Sequence, residues 1–333
     1  MTKNHPILTS FLLAAGLLAG CSTDTPEIQP AQPEITMRTE VRPMTQRIAP
    51  RRTTTYDNTT NLQAEDLRID AYFHGTATKY LNGATLHYNA SAWQFWDSDA
   101  DAQLHYYWPV EGSVYDPAGA AITVSTLDFV GYCPYETPSY IADLTYDTDE
   151  HNVTFACTNL PMTDTEQEDL KEFMFAMALE QNKTNVPVAG VSLTFRHPFA
   201  RIKMQLAASH PDITINTITF KTIKNNGSYD LSASPEWTLS GDATNLVFGD
   251  TTAFTLNVAA QQIGNDLIVI PQEWAGEIEV NASWNDWGDT PVAHALSTTV
   301  SPITWQAGYS YTYTFNISPE DLTVNVNNFT EQW

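Results

Sequence analysis

The chain has 333 residues, enough for about two domains. Hydrophobic residues make up 42% and aromatic residues 11%, so the chain can bury proper cores and is not a disordered polymer. A formal net charge of −24 excludes nucleic acid and anionic membrane surfaces as direct partners, because like charges repel. Only 16% of residues are charged, and the remaining polar surface of Thr, Ser, Asn and Gln suits a protein working outside the cell. Three Cys are too few for a disulfide scaffold.

Residues 1–20 read as a signal peptide. Ile7–Gly20 is an apolar run too short to span a bilayer comfortably, with Lys3 ahead of it. It ends in Leu18-Ala19-Gly20-Cys21, which resembles the bacterial lipoprotein lipobox. Cys21 is then the lipidated residue, and several acyl chains anchor stably. Ser22 in place of Asp favours the outer membrane. Residues 21–52 read as an extended tether without apolar periodicity. Five of the eight Arg lie here: Arg38, Arg42, Arg47, Arg51 and Arg52. Two readings stand side by side: a solvated linker, or accessible cleavage sites for an Arg-specific protease.

Residues 53–187 read as a first β-sandwich. Leu67–Phe73, Leu86–Trp96, Leu104–Pro109, Ile122–Tyr135, Val153–Ala156 and Phe173–Leu179 are β-branched and aromatic, with turn signals between them. Thr163–Glu172 is the one helix-like piece, with Thr163 and Glu166 placed for a capping box, and a charged loop is the equal alternative. Asp97, Asp99 and Asp101 alternate like the start of a calcium loop. The sixth and twelfth positions hold Ala102 and Trp108 instead of Gly and Glu, so a solvated loop is expected and no metal. Cys133 and Cys157 sit in predicted strands. They form a disulfide if they are neighbours in space, and otherwise remain buried thiols. His74, His87, His105, His151 and His197 show no ligand spacing and read as structural.

Residues 188–333 read as a second β-sandwich. The stretch Val191–Leu206 is a strand, a kink at Pro198–Ala200 and a second strand, with apolar parity that flips across the Pro. It is expected to open the second sandwich, with His197 and Arg201 structural. Ile213–Ile223 alternates, and Asn225-Asn226-Gly227 reads as a turn. Trp237, Phe248, Phe254–Val258, Leu267–Ile270, Ile278–Trp284, Tyr309–Ile317 and Leu322–Val326 are further strand cores. The fold class is all-β.

The sequence of LTFRHPFARIKMQL, a strand, NNGSYDLS, a Trp, LIVIPQ and WQAGYSYTYTFNI resembles the second half of the fimbrillin-like proteins of Bacteroidales. YYWP, LDFVGYCPY and EFMFAMA match the first half. The resemblance covers roughly 55–333. It implies two tandem transthyretin-like β-sandwich domains after a lipoprotein leader, and a structural fimbrial subunit or fimbria-associated adhesin at the cell surface. It also implies that an Arg-specific protease removes the lipidated segment and the first strand, and that a strand from a neighbouring subunit fills the groove. Mapped onto this sequence, Cys21 carries the lipid and Arg47 and Arg52 are the cleavage sites. Leu322, Val324 and Val326 belong either to the second domain's own last strand or to a donor strand. The expected partners are other fimbrial subunits, the outer membrane through the lipid, and a host or bacterial surface receptor.

The alternative is a monomeric outer-membrane lipoprotein that binds glycans. Its motivation is the aromatic set Trp93, Trp96, Tyr106, Tyr107, Trp108, Trp284 and Trp287, whose rings can stack on sugars. No Gly-x-Ser-x-Gly elbow, His-Glu-x-x-His or phosphate loop occurs, so no enzyme activity and no cofactor is expected.

Overall fold

A computed structural model describes residues 33–41, 59–110, 114–115, 119–187, 189–206, 213–249, 254–255, 261–285, 290–318 and 321–332. The first half of the chain holds β1 (Met37–Val41), α1 (Thr59–Leu62), β2 (Leu67–Phe73), β3 (Lys79–Asn89), β4 (Ala92–Asp97), β5 (Ala102–Gln103), β6 (Val114–Tyr115), β7 (Ala121–Ile122), β8 (Leu127–Cys133), β9 (Ile141–Asp147), β10 (Asn152–Cys157) and β11 (Met174–Gln181). The rest holds β12 (Val191–Phe195), β13 (Ala200–Leu206), β14 (Thr214–Asp230), β15 (Trp237–Phe248), β16 (Phe254–Thr255), β17 (Gln261–Val269), β18 (Glu273–Trp274), β19 (Glu277–Trp284), β20 (Val292–Thr299), β21 (Ile303–Thr304), β22 (Tyr309–Ser318) and β23 (Asp321–Gln332). The fold is all-β, as the alternating sequence pattern predicts.

Three sheets carry the structure. The first runs β11-β8-β2-β3-β4-β1-β12, with β5 on β4. It curls back on itself, because Arg196 just after β12 bridges to Phe175 on β11, its N–H donating to the Phe175 carbonyl at 2.9 Å. The second runs β20-β19-β14-β10-β9, with β15 and β16 on β14. The third runs β17-β13-β22-β23. Strands from both halves of the chain share the second sheet, and residues 33–333 form a single compact unit.

Strand parity explains how the sheets stack. In β8, Leu127, Phe129 and Cys133 enter a core enclosed by the first sheet, while Val130 and Tyr132 enter a second core on its other face. Every β8 residue is therefore buried, as a continuous apolar run LDFVGYC requires. The same split holds for β11, where Met174 and Ala176 face one core and Phe175 the other. The second core is aromatic: Tyr132, Phe155, Phe173, Phe199, Tyr229 and Trp237 pack against one another between the first sheet and β9–β10–β14. A third core lies between β14–β15–β19 and the third sheet, around Phe220, Trp274, Trp305 and Tyr313.

The central stretch is split between sheets. Its first strand, β12, pairs with β1 in the first sheet, and only β13 enters the third. It thus joins the first sheet to the third rather than opening a second sandwich. The kink seats Phe199 in the aromatic core, and the Trp237 indole donates to the Pro198 carbonyl at 2.7 Å. Two buried polar pairs flank it. His197 Nδ1 lies 2.9 Å from Glu172 Oε1, and Arg201 Nε donates to Ser310 Oγ at 2.6 Å with Asp266 at 3.5 Å from Nη1.

Four further expectations change. The tether is not featureless, because it contains β1: Met37, Thr39 and Val41 point inward while Arg38 and Glu40 point out. Leu104–Pro109 is not a strand but contributes one bridge, Glu34 to Tyr107. Thr163–Glu172 forms successive turns rather than a helix. Thr163 Oγ1 does accept from the Glu166 N–H at 3.1 Å, but buried Gln167 locks the segment to the Ile268 backbone with bonds of 2.8 and 3.0 Å. Asn225-Asn226-Gly227 is not a turn either, because β14 runs straight through it. There Asn225 holds the Leu160 backbone, Asn226 accepts from the Asn159 N–H, and Gly227 admits the Thr238 carbonyl, which a Cβ would meet at 2.9 Å.

Candidate functional site

Strand β1 is the candidate site, because of where it pairs. It lies inside the first sheet, parallel to β12 in the register Met37–Val191 through Val41–Phe195. On its other side it meets β4 only at Met37–Trp93. The residues before it are also held, with Ile35 N–H donating to the Tyr106 carbonyl at 2.7 Å and Trp108 N–H to the Pro33 carbonyl at 3.1 Å. Ile35, Met37, Thr39 and Val41 are buried. The three apolar side chains each contribute roughly 1.5–3 kcal/mol by leaving water. Gly190, at φ +96°, lets the chain enter β12 against Thr36: a Cβ there would press into the Thr36 carbonyl and lie 2.7 Å from its hydroxyl.

The chemistry of this slot is that of backbone pairing. Removing β1 would unpair the β12 edge from Val191 to Phe195 and uncover the places of Ile35, Met37 and Val41. Such a gap, apolar and lined by free N–H and C=O groups, is a template for an incoming strand. The sequence signal for β1 was present in the Met37–Thr39–Val41 alternation. It was hidden by the Pro, Arg and Glu residues around it.

The other expected site residues fall as follows. Cys21, Arg47 and Arg52 lie outside the described residues, as do Arg42, Arg51 and Trp287. Arg38 is in β1, exposed, 3.9 Å from Glu40. Leu322, Val324 and Val326 lie in β23, which pairs antiparallel with β22 and closes the edge of the third sheet, Leu322 opposite Ile317 and Val326 opposite Tyr313. Leu322 is buried and Val324 packs against the same core.

Cys133 and Cys157 are not joined by a disulfide. They belong to different sheets, Cys133 facing the core inside the first sheet and Cys157 the aromatic core. Burial pushes the Cys157 thiol up to about 12, which disfavours the reactive thiolate.

Of the aromatic set, Trp93, Trp108 and Trp284 are core residues, Trp284 stacked on His294. Trp96 and Tyr106 are half-buried and Tyr107 is exposed. Asp97 caps its own loop, its Oδ1 accepting from the N–H groups of Asp99 and Ala100 at 3.0 and 3.1 Å. The structure does bring His74 and His151 together at Asp128, a grouping with no trace in residue spacing.

The fold has counterparts among solved structures. Three solved structures share the fold. A fimbrial protein from Bacteroides vulgatus aligns over 88% of this chain and 98% of its own, with a TM-score of 0.59 and 12% identity. A candidate cell adhesion protein from Bacteroides ovatus aligns over 91% and 98%, with a TM-score of 0.51 and 12% identity. Another from Bacteroides uniformis aligns over 90% and 98%, with a TM-score of 0.50 and 16% identity. No curated protein matches by sequence. The model of one family, described as fimbrillin-like, matches residues 52–333. With that match over most of its length, the chain belongs to the fimbrillin-like family.

Proposed function

We propose that the chain is a structural, non-catalytic subunit of a cell-surface fimbria, in which β1 keeps the first sheet closed until proteolysis releases it. Family membership supports the fimbrial role. The observation that carries the rest is the place of β1. It fills an interior slot of the first sheet, yet it comes from upstream of Arg42, Arg47, Arg51 and Arg52. Cleavage after Arg47 or Arg52 separates it, together with a lipidated Cys21, from everything downstream.

In this reading the chain reaches the outer membrane as a lipoprotein and is cleaved at the surface. The vacated slot beside β12 then takes a strand from a neighbouring subunit. Such head-to-tail donation does not close and so builds a filament. The candidate donor is β23, an edge strand at the C-terminal end of the chain, with Leu322, Val324 and Val326 as its apolar side chains.

The test uses the full chain and an Arg-specific protease. The expected result is a new N-terminus at residue 48 or 53 and ladders that resist SDS, with filaments in electron micrographs. A cleaved product that stays monomeric overturns the strand-addition reading. If the double variant Arg47→Ala, Arg52→Ala still assembles at the surface at the normal level, the assigned cleavage sites are wrong.

A further inference from the structure

Asp128 is the second residue of β8, and its carboxylate is completely buried. Alternation puts it on the same face as Val130 and Tyr132, toward the β9–β10 hairpin. Two histidines from separate segments converge on it. His74 follows β2 directly and is held there by its N–H donating to the Thr126 carbonyl at 3.0 Å. Its Nδ1 lies 3.0 Å from both Asp128 oxygens. His151 comes from the turn between β9 and β10, and its Nδ1 lies 3.5 Å from Asp128 Oδ2. The two rings stack with centroids 5.2 Å apart and 12° between planes. One nitrogen from each ring and one carboxylate oxygen all fall within 4.8 Å of one another.

The surroundings are built. The Glu180 N–H donates to Asp128 Oδ1 at 2.7 Å, which fixes the carboxylate and leaves Oδ2 directed at the histidines. The Tyr146 hydroxyl lies 3.1 Å from His151 Nδ1, a contact that this nitrogen gives up when it takes an ion. Glu180 Oε1 is 3.7 Å from His74 Nε2 on the outer side. Glu180 and His151 both adopt positive φ, 54° and 51°. That backbone is strained for a residue other than Gly. A buried carboxylate is costly unless a positive charge or ion faces it. Among the described residues, the groups forming ion pairs with Asp128 are His74 and His151.

We propose that His74, Asp128 and His151 form a binding site for a divalent transition-metal ion, Zn²⁺ before others. Bonds of about 2.0–2.2 Å place neighbouring ligand atoms about 3.0–3.5 Å apart, which the Nδ1 to Oδ2 separations already match. Two imidazoles and one carboxylate suit Zn²⁺, Ni²⁺ or Cu²⁺, whereas Mg²⁺ and Ca²⁺ prefer all-oxygen shells. Both rings are about three-tenths exposed, so water completes the shell from the open side. The ion ties the β9–β10 hairpin of the second sheet to β2 and β8 of the first. Its effect is to brace the two sheets against each other rather than to catalyse a reaction.

The test strips the full chain with a chelator and titrates it with ZnCl₂, following heat of binding and thermal unfolding, with MgCl₂ as control. One saturable Zn²⁺ per chain is expected. At a hundredfold excess over Kd, Tm should rise by about 4 °C. His74→Asn and His151→Asn should each abolish both signals, Asn being chosen at 151 because it tolerates positive φ. His87→Asn, at a half-buried histidine 2.6 Å from Asp66, should leave both intact. Diffraction at the zinc absorption edge from wild-type crystals gives a readout independent of folding in the variants: an anomalous peak within bonding distance of all three side chains is expected. A folded wild type that takes up no Zn²⁺, or uptake that persists in both His variants, overturns the proposal.

Discussion

The two strands nearest the chain ends, β1 and β23, fill their places by different means. Strand β1 is five residues long, parallel to β12, and lodged inside its sheet with a single pairing to β4. Strand β23 is twelve residues long, antiparallel to β22, and lies on a sheet edge. Loss of an interior strand leaves a slot with backbone on both sides and an apolar floor. Loss of an edge strand leaves only a new edge. In the assembly proposed above, the interior slot of β1 is the acceptor and the edge strand β23 the candidate donor.

The sharpest way to break this comparison is to put a charge into β1. Met37→Asp buries a carboxylate in the core inside the first sheet, and the strand should leave its slot rather than accommodate it. The loss should be about 5 kcal/mol, set by the apolar burial that β1 forfeits. In urea titration with hydrogen exchange, the amides of Val191–Phe195 should lose protection while those of β22 keep theirs. Equal loss in both places would mean that β1 is not a separable element. Leu322→Ala makes the matching change in β23. A buried Leu there should cost about 3 kcal/mol, with β12 protection unchanged. If it also loosens β12, the two ends are coupled through the molecule and do not act as independent acceptor and donor.

A smaller effect is expected at the entry to β12. Gly190→Ala combines backbone strain at φ +96° with a clash against Thr36, which leads into β1. A cost of about 2 kcal/mol is expected. Because the clash is with the β1 segment, an Arg-specific protease should cut the variant faster after Arg38 while its third core stays intact. Unchanged resistance at Arg38 would show that Gly190 does not help to hold β1 in place.

How much of this was legible in the sequence depends on what each element shows to water. Strand β22 is half buried by alternation, and YSYTYTFNI announces it. β9 and β20 were not read as strands, because Leu144 and Tyr146 alternate with polar residues on a partly exposed face and β20 is exposed along most of its length. β14 defeated the turn rule at Asn225-Asn226-Gly227, since tertiary partners take up the Asn side chains that would otherwise fold back on the local chain. The division at 187/188 missed the role of β12 because pairing partners 154 residues apart, such as Met37 and Val191, leave no local mark. His74, Asp128 and His151 were illegible for the same reason.

The smallest expected effect concerns Arg38, and it separates sequence from structure most cleanly. By composition Arg38 is one of five equivalent basic residues in the tether. In the fold it is different: its backbone is paired with Ser192 in the middle of β1, and its exposed side chain lies 3.9 Å from Glu40. Exposed pairs of this kind are worth at most about 0.5 kcal/mol, so Arg38→Ala should barely change stability. A protease needs several residues of extended, unpaired backbone around the scissile bond, which β1 denies it while docked. Mass spectrometry of the cleaved wild type should therefore find no new N-terminus at residue 39, and Arg38→Ala should give the same fragments at the same rate. In Met37→Asp, where β1 is out of its slot, cleavage after Arg38 should appear. If Arg38 is cut readily in the wild type, β1 is not held as a strand in solution, and the reading of β1 as a docked plug fails.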